Sequence, residues 1–209
     1  FLLMLLLLCF DDLLSQTIIQ RDIDSLNTVL KNTKHDTIKV NILAGLCFVY
    51  NNAGEKQKAR EAGEEAIRLA DKINYKSGKA DALNSLAVMD WVAGNLQEAM
   101  DKYITASKIN EEIGNKLGLG FNLNNIGNIH YTKADYREAI KYYKLAVKAY
   151  EEAGSKKWIA STYNNLSEAF VQLGNYPEAL KYLLTGLKML KEIGDKERMQ
   201  LFYLNIGNL

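Results

Sequence analysis

Apolar and polar positions recur along this chain with two periods, a short one typical of helices and a long one of about forty residues. Apolar residues three or four positions apart predict amphipathic α-helices. Leu123 and Ile126 belong to such a set and predict a helix over about 116–132, while Ala139 and Tyr143 mark the helix that follows. The pattern therefore predicts pairs of helices joined by short corners.

The longer period is visible in small residues. Four alanines stand 40 residues apart, and the five-residue segments at 83–87, 123–127, 163–167 and 203–207 keep the same step. A fixed period of this size is typical of stacked repeats, in which each unit buries its apolar face only against its neighbours. We expect Ala99, Ala139 and Ala179 where the two helices of a hairpin cross, and Tyr103 and Tyr143 as wedges between units. Small residues on the partner helix are expected to allow the same close approach: Ala87, Gly127, Ser167 and Gly207. The four alanines are Ala59, Ala99, Ala139 and Ala179.

Helix ends have their own signals. Glycine follows several of the predicted helices and is followed by a residue whose side chain can accept a hydrogen bond from the next helix. Pro177 falls in the first turn of a predicted helix, where its missing N–H is harmless. The expected caps after Gly114, Gly154 and Gly194 are Asn115, Ser155 and Asp195.

These segments resemble the tetratricopeptide repeat family, in a variant with 40-residue units. The resemblance implies an all-α fold, a right-handed superhelical solenoid of antiparallel helix hairpins. It covers 36–209, as four full repeats and the first helix of a fifth. Residues 16–35 are interpreted as a capping helix or a degenerate repeat. Two departures are Gly63, in place of the wedge aromatic, and Asp90, in place of the aromatic near the end of a first helix.

The resemblance also implies a binding surface, because the first helices of such arrays line the inner, concave face. An asparagine amide carries both donors and acceptors and suits contact with a peptide backbone. A second interpretation stays open, in which the asparagines bond neighbouring carbonyls and fix the spacing between units, with Asn125 and Asn165 at the repeat interface. The predicted peptide-binding residues are Asn84, Asn124, Asn164, Asn128, Glu168, Trp91 and Tyr131.

The amino-acid composition limits the classes of partner and of activity that we expect. The 26 Lys and Arg residues nearly balance the 25 Asp and Glu residues, whereas binding to nucleic acid needs a surplus of positive charge. The chain has two cysteines and two histidines, with no zinc-ligand spacing, no phosphate-binding glycine loop and no activated nucleophile. We therefore expect no enzyme, no metal site and no cofactor, and a protein or peptide segment as the partner.

The amino terminus differs from the repeats. Residues 1–10 are all apolar. A segment of this length is too short to span a bilayer, but it is typical of the apolar core of a secretory signal peptide. Residues 1–15 are accordingly interpreted as the remnant of a signal peptide, or alternatively as a hydrophobic leader that forms an amphipathic capping helix. The first interpretation predicts an exported, periplasmic protein and the second a cytoplasmic one.

The function expected from these observations is a protein- or peptide-binding module. It resembles the input domain of an exported bacterial sensor, whose output and membrane-tethering segment would follow Leu209. Two alternatives stay open: a cytoplasmic regulator that responds to a peptide, and an architectural scaffold that holds two partners.

Overall fold

The computed structural model describes the backbone of residues 2–209 and the side chains of residues 17–209. The predicted leader, 1–15, lies outside the described side chains. Ten helices follow one another without a strand among the described residues. They are α1 (Leu2–Asn32), α2 (Asp36–Asn52), α3 (Lys56–Lys72), α4 (Lys76–Val92), α5 (Leu96–Glu112), α6 (Lys116–Thr132), α7 (Tyr136–Glu152), α8 (Lys156–Gln172), α9 (Tyr176–Ile193) and α10 (Lys196–Gly207). The all-α class and the helix predicted over 116–132 are confirmed.

The chain divides into two compact units, Phe1–Lys102 and Tyr103–Leu209, with the boundary inside α5. In the first unit α2 packs against α3 and α4. The core there contains Leu46, Cys47, Ala59 and Leu86, all almost fully buried. Among the helices that the structure describes, none combines the length and apolar character needed to cross a bilayer.

Gly63 and Cys47 show how the first repeat packs without its wedge aromatic. A Cβ atom on Gly63 would lie 2.6 Å from Cγ of Leu86, so Leu86 occupies the space beside the glycine. Cys47 is fully buried against the same residues, and burial raises the pKa of its thiol to about 11. Cys47 is thus a small residue of the apolar core.

Asp90 is a buried charge in the first unit. It lies at the end of α4, only 1% exposed, between two cations: Arg60 Nη2 is 2.8 Å from its Oδ1 and Lys102 Nζ is 2.7 Å from its Oδ2. Burial alone would raise the pKa of the Asp90 carboxyl, but the hydrogen bonds and charges of Lys102 and Arg60 outweigh it and lower that pKa. A carboxylate that ties three helices together therefore replaces the expected aromatic.

We expect Asp90→Asn to lower the free energy of unfolding by about 2 kcal/mol at pH 7, because charge-assisted hydrogen bonds in a buried setting are lost. Denaturant unfolding followed by circular dichroism measures the change. Asp71→Asn is the matched control, since the Asp71–Lys79 pair is exposed and such pairs contribute about 0–1 kcal/mol. Equal effects of the two substitutions would contradict the role assigned to Asp90.

The Asp90 contribution also has a predicted pH dependence. Its carboxyl has a lower pKa in the folded chain than the value of about 3.9 typical of unfolded chains. The stabilisation is therefore complete above about pH 5 and is lost as the pH falls through the folded-state pKa. We expect the difference in unfolding free energy between the wild type and Asp90→Asn to shrink below about pH 4. A difference that stays constant down to the acid transition would contradict this assignment.

In the second unit α6 pairs with α7, α8 packs on α7, and α9 pairs with α8 and with α10. Tyr143 and Tyr150 on α7 are almost fully buried among apolar residues of this unit. A Cβ atom on Gly127 would lie 2.5 Å from the Tyr143 ring, so the small residue in α6 makes room for the aromatic in α7. Gly207, expected to do the same in α10, has no packed neighbour within 4 Å of its Cβ position.

The corners between helices share one backbone conformation. Gly114, Gly154 and Gly194 have φ between +69° and +72°, and Ala134 takes the same left-handed conformation at φ +60°. The predicted caps Asn115 and Asp195 are confirmed, since their side chains accept from Gly118 N–H and Arg198 N–H.

The predicted cap at Ser155 is wrong, because its side chain makes no capping hydrogen bond. The Trp158 N–H donates to the Ser155 carbonyl instead, at 3.1 Å.

Gly127 and Gly45 give a matched pair of substitutions inside helices. Glycine to alanine in a helix interior gains about 1 kcal/mol, and Gly45 has open space around its Cβ position. We expect Gly45→Ala to raise the melting temperature. We expect Gly127→Ala to lower the free energy of unfolding by about 1–2 kcal/mol, because the new methyl overlaps the Tyr143 ring. Changes of the same sign would contradict the packing described here.

Candidate functional site

The first helices of the hairpins in the second unit, α6, α8 and α10, carry a network of asparagine side chains. Asn124 on α6 and Asn164 on α8 stand 40 residues apart, at the same position of their repeats. We define the asparagine network as the side chains that hydrogen bonds connect to these two. They are Asn124, Asn125, Asn128, Tyr143, Thr162, Asn164, Asn165, Glu168 and Asn205.

Helix α8 donates to α6 through this network. Asn165 Nδ2 lies 3.1 Å from Asn124 Oδ1 and 3.4 Å from Asn128 Oδ1. Thr162 Oγ1 lies 3.2 Å from the same oxygen of Asn124. The Tyr143 hydroxyl donates to Asn128 Oδ1 at 2.9 Å. Asn165 therefore does face the repeat interface, and the carbonyl groups of Asn124 and Asn128 hold α6 and α8 at a fixed spacing.

Helix α10 repeats the arrangement against α8. Asn205 Nδ2 donates to Asn164 Oδ1 at 2.7 Å, and Asn164 Nδ2 donates to Glu168 Oε1 at 2.6 Å. Asn164 is only 7% exposed, so its amide serves the packing of the helices and the orientation of Glu168. These hydrogen bonds between successive first helices agree with the interpretation that asparagines fix the spacing between units. Contact of Asn164 with a peptide stays a prediction.

Glu168 and Tyr131 are brought together beside the network. Both line a pocket of about 200 Å³ whose other walls include Gln172 and Asn205, and whose apolar residues include Leu183. Glu168 is exposed and Tyr131 half-buried. Burial, with the nearby Glu168 carboxylate, raises the pKa of the Tyr131 hydroxyl, which also hydrogen-bonds to Gln172. The pocket thus presents a carboxylate and hydrogen-bonding groups around a space the size of one side chain.

Asn84 and Trp91 belong to the first unit and are both half-buried on α4. The Asn84 side-chain oxygen is buried and has no hydrogen-bond partner among the described residues. The structure therefore gathers five of the seven predicted residues on one unit and these two on the other. Sequence reasoning missed Asn205 and Gln172, although Asn205 stands 41 residues after Asn164, the same step that joins Asn165 to Asn124.

A family model described as tetratricopeptide repeat matches residues 78–152 and 121–192, together more than half of the chain. The chain belongs to the tetratricopeptide repeat family. A sequence search of the curated proteins finds no match. Helix hairpins of this family stack into a solenoid, and the repeat architecture predicted from the 40-residue period is confirmed.

Several solved structures superpose well on this chain. BtubC from P. vanneervenii gives a TM-score of 0.79 at 20% identity, over 91% of this chain and 82% of that one. Aspartyl phosphate phosphatase F from Bacillus subtilis gives 0.79 at 17% identity, over 88% and 52%. A signal transduction ATPase with a tetratricopeptide repeat sensor from Pyrococcus horikoshii gives 0.76 at 20% identity, over 90% and 29%. At these identities the likeness shows the fold alone.

Two asparagines at equivalent repeat positions are expected to respond differently to removal. Asn164→Ala breaks two short hydrogen bonds, and we expect it to lower the free energy of unfolding by about 1–2 kcal/mol. Asn84→Ala removes a buried oxygen that has no described partner, so we expect a loss below about 1 kcal/mol. Thermal unfolding of both variants measures the difference. The same loss in each would contradict a structural role specific to Asn164.

Proposed function

We propose that this tetratricopeptide repeat chain is a protein-binding module, a scaffold or regulatory part, that receives a peptide segment along α6, α8 and α10. The observation that carries the proposal is the pocket beside Glu168 and Tyr131. The asparagine network fixes the spacing of the three helices, so the groups that line the pocket are held in place before a partner arrives. Preorganisation of this kind limits the entropy lost on binding.

The chemistry of the pocket suggests which side chain enters it. Glu168 is an exposed carboxylate whose Oε1 already accepts from Asn164. Its other carboxylate oxygen can accept hydrogen bonds from an Arg or Lys side chain of a partner. The polar groups of Tyr131 and Gln172 line the same pocket. We propose that the partner segment places a basic residue here and that Asn124 and Asn128 border the backbone beside it. Asn84 and Trp91, on α4 of the first unit, are proposed as peptide contacts of that unit.

The biological setting is a further part of the proposal. The resemblance to sensor input regions suggests a bacterial signalling protein that is exported, with a membrane tether and output following this chain. A cytoplasmic peptide-responsive regulator is the alternative. Amino-terminal sequencing of the mature protein distinguishes the two settings. A start at Gln16 supports export, whereas a retained leader supports the cytoplasmic alternative.

A peptide library displayed on phage tests the binding surface directly. We expect the full chain to enrich peptides that contain Arg or Lys, and Glu168→Lys to reduce their affinity by about ten-fold or more, since an attractive charge becomes a repulsive one. Glu138→Lys is the matched control, because Glu138 is an exposed glutamate in α7, away from the pocket. Circular dichroism confirms that each variant stays folded.

The outcomes separate the competing functions. Enriched peptides that bind Glu168→Lys as tightly as the wild type would contradict the proposed surface. If such peptides also bind independently of Tyr131, the scaffold alternative, with partners on other faces, becomes the better account.

A further inference from the structure

A second pocket of the second unit shares α6 with the proposed peptide surface, but its other walls come from α5 and α7 and not from α8 and α10. A pocket of about 560 Å³ opens between α5 and α7 above α6, and we call it the α5–α7 pocket. Ile104, Leu119, Leu123, Ile126 and Leu145 give it apolar walls. Its volume falls within the range of about 300–1,000 Å³ typical of small-molecule sites.

Comparison with the next repeat shows that the α5–α7 pocket is not a general feature of the fold. Three residues around the α5–α7 pocket are small or short: Ser107, Leu123 and Ala149. The residues 40 positions later are Val147, Tyr163 and Met189, and all three pack into the apolar core of the second unit. Tyr163 also reaches the Tyr182 ring, with centroids 5.2 Å apart. The equivalent space is therefore filled, and the pocket is particular to one repeat.

Two wall residues differ in the same direction. Ile104 corresponds to Lys144 in the next repeat, and Leu145 corresponds to Thr185. Leu145 is 44% exposed at the mouth of the pocket, where a polar residue is the usual choice on a helix surface. The substitutions together make the pocket wider and its walls more apolar.

The rim of the pocket carries more lysines than carboxylates. Lys116 Nζ pairs with Glu152 Oε2 at 2.6 Å. Lys108 and Lys148 also line the pocket, and neither forms an ion pair with another residue that the structure describes. Glu111 is the other carboxylate that lines the pocket, and its charge contributes to raising the pKa of the Lys116 ammonium group. Lys148 also lies close enough to Glu152 to help lower the pKa of that carboxyl. With three ammonium groups against two carboxylates, the rim has a net positive charge above apolar walls, which is complementary to a ligand that is apolar at one end and anionic at the other.

The extent of the pocket argues for a small molecule over a polypeptide. An extended or helical partner needs a groove that continues past several turns, whereas Tyr163 and Met189 fill the equivalent space in the next repeat. Ser107, 9% exposed, adds a buried hydroxyl to the wall with no hydrogen-bond partner among the described residues.

We propose that the α5–α7 pocket binds an apolar carboxylate, a small molecule whose aliphatic or aromatic body lies on Leu119, Leu123 and Ile126 and whose carboxylate meets Lys108 and Lys148. The α5–α7 pocket shares no lining residue with the pocket beside Glu168 and Tyr131. It gives the chain a second class of ligand.

Decanoate and decylammonium, kept below the concentrations at which they self-associate, form the test pair. Methyl resonances of Leu119, Leu123 and Ile126 are followed by NMR in the full chain. We expect saturable shifts with decanoate and binding of decylammonium weaker by about ten-fold or more, because the two probes differ in the sign of the head group. Glu168→Lys, on the peptide surface, should leave decanoate binding unchanged.

Two variants make the test specific. Leu123→Tyr with Ala149→Met fills the pocket with the side chains that the next repeat already uses, and we expect it to abolish saturable decanoate binding. Lys108→Glu with Lys148→Glu alters only exposed helix positions and should reverse the preference toward decylammonium. Circular dichroism and thermal unfolding verify that both variants fold.

Either of two results would overturn the proposal. Decanoate that binds the filled variant as tightly as the wild type would place the ligand elsewhere. The absence of saturable shifts at these three methyl groups in the wild type would show that apolar carboxylates do not occupy the pocket, and would leave a protein segment as the better candidate.

Discussion

Close approach of paired helices at small residues is the constraint on which the repeat depends. Gly127 on α6 leaves room for the Tyr143 ring, and Ala139 on α7 is fully buried in the same hairpin. A hairpin alone buries too little apolar surface to offset the conformational entropy lost on folding. Once the hairpins approach closely, Tyr143 reaches the asparagine network of α6, and neighbouring first helices come within reach of one another's amides. Packing thus sets the distances that the polar groups use.

The sequence predicts what repeats and misses what a single unit changes. The 40-residue period placed α6 and the crossing alanines correctly, because every unit obeys the same packing rule. Ser155 failed as a cap although it occupies the position of Asn115, because the Trp158 N–H donates to the Ser155 backbone carbonyl and not to its side chain. The sequence showed only that Asp90 replaces the aromatic residue expected near the end of a first helix. The structure adds that Arg60 and Lys102 both form ion pairs with its carboxylate.

The candidate site was predictable to a smaller degree. Helix position alone placed Asn124 and Asn164 on the correct helices, yet it did not distinguish exposure to a ligand from burial between units. The structure shows Asn164 buried and bonded on both amide atoms, whereas Glu168 remains exposed. The α5–α7 pocket was detectable in principle by aligning the repeats, because Ser107, Leu123 and Ala149 are all smaller than their counterparts. Its volume still depends on how the neighbouring side chains settle, which sequence comparison does not give.

The reach of the hydrogen bonds has a consequence for synthesis of the chain. The described hydrogen bonds between side chains join residues at most 41 positions apart. A ribosome adds about 5–20 residues per second, so each unit emerges within about 2–8 s of the one before it. Helices and short turns form in about microseconds. In the described part of the chain, a nascent hairpin therefore meets the neighbour that covers it soon after it leaves the ribosome.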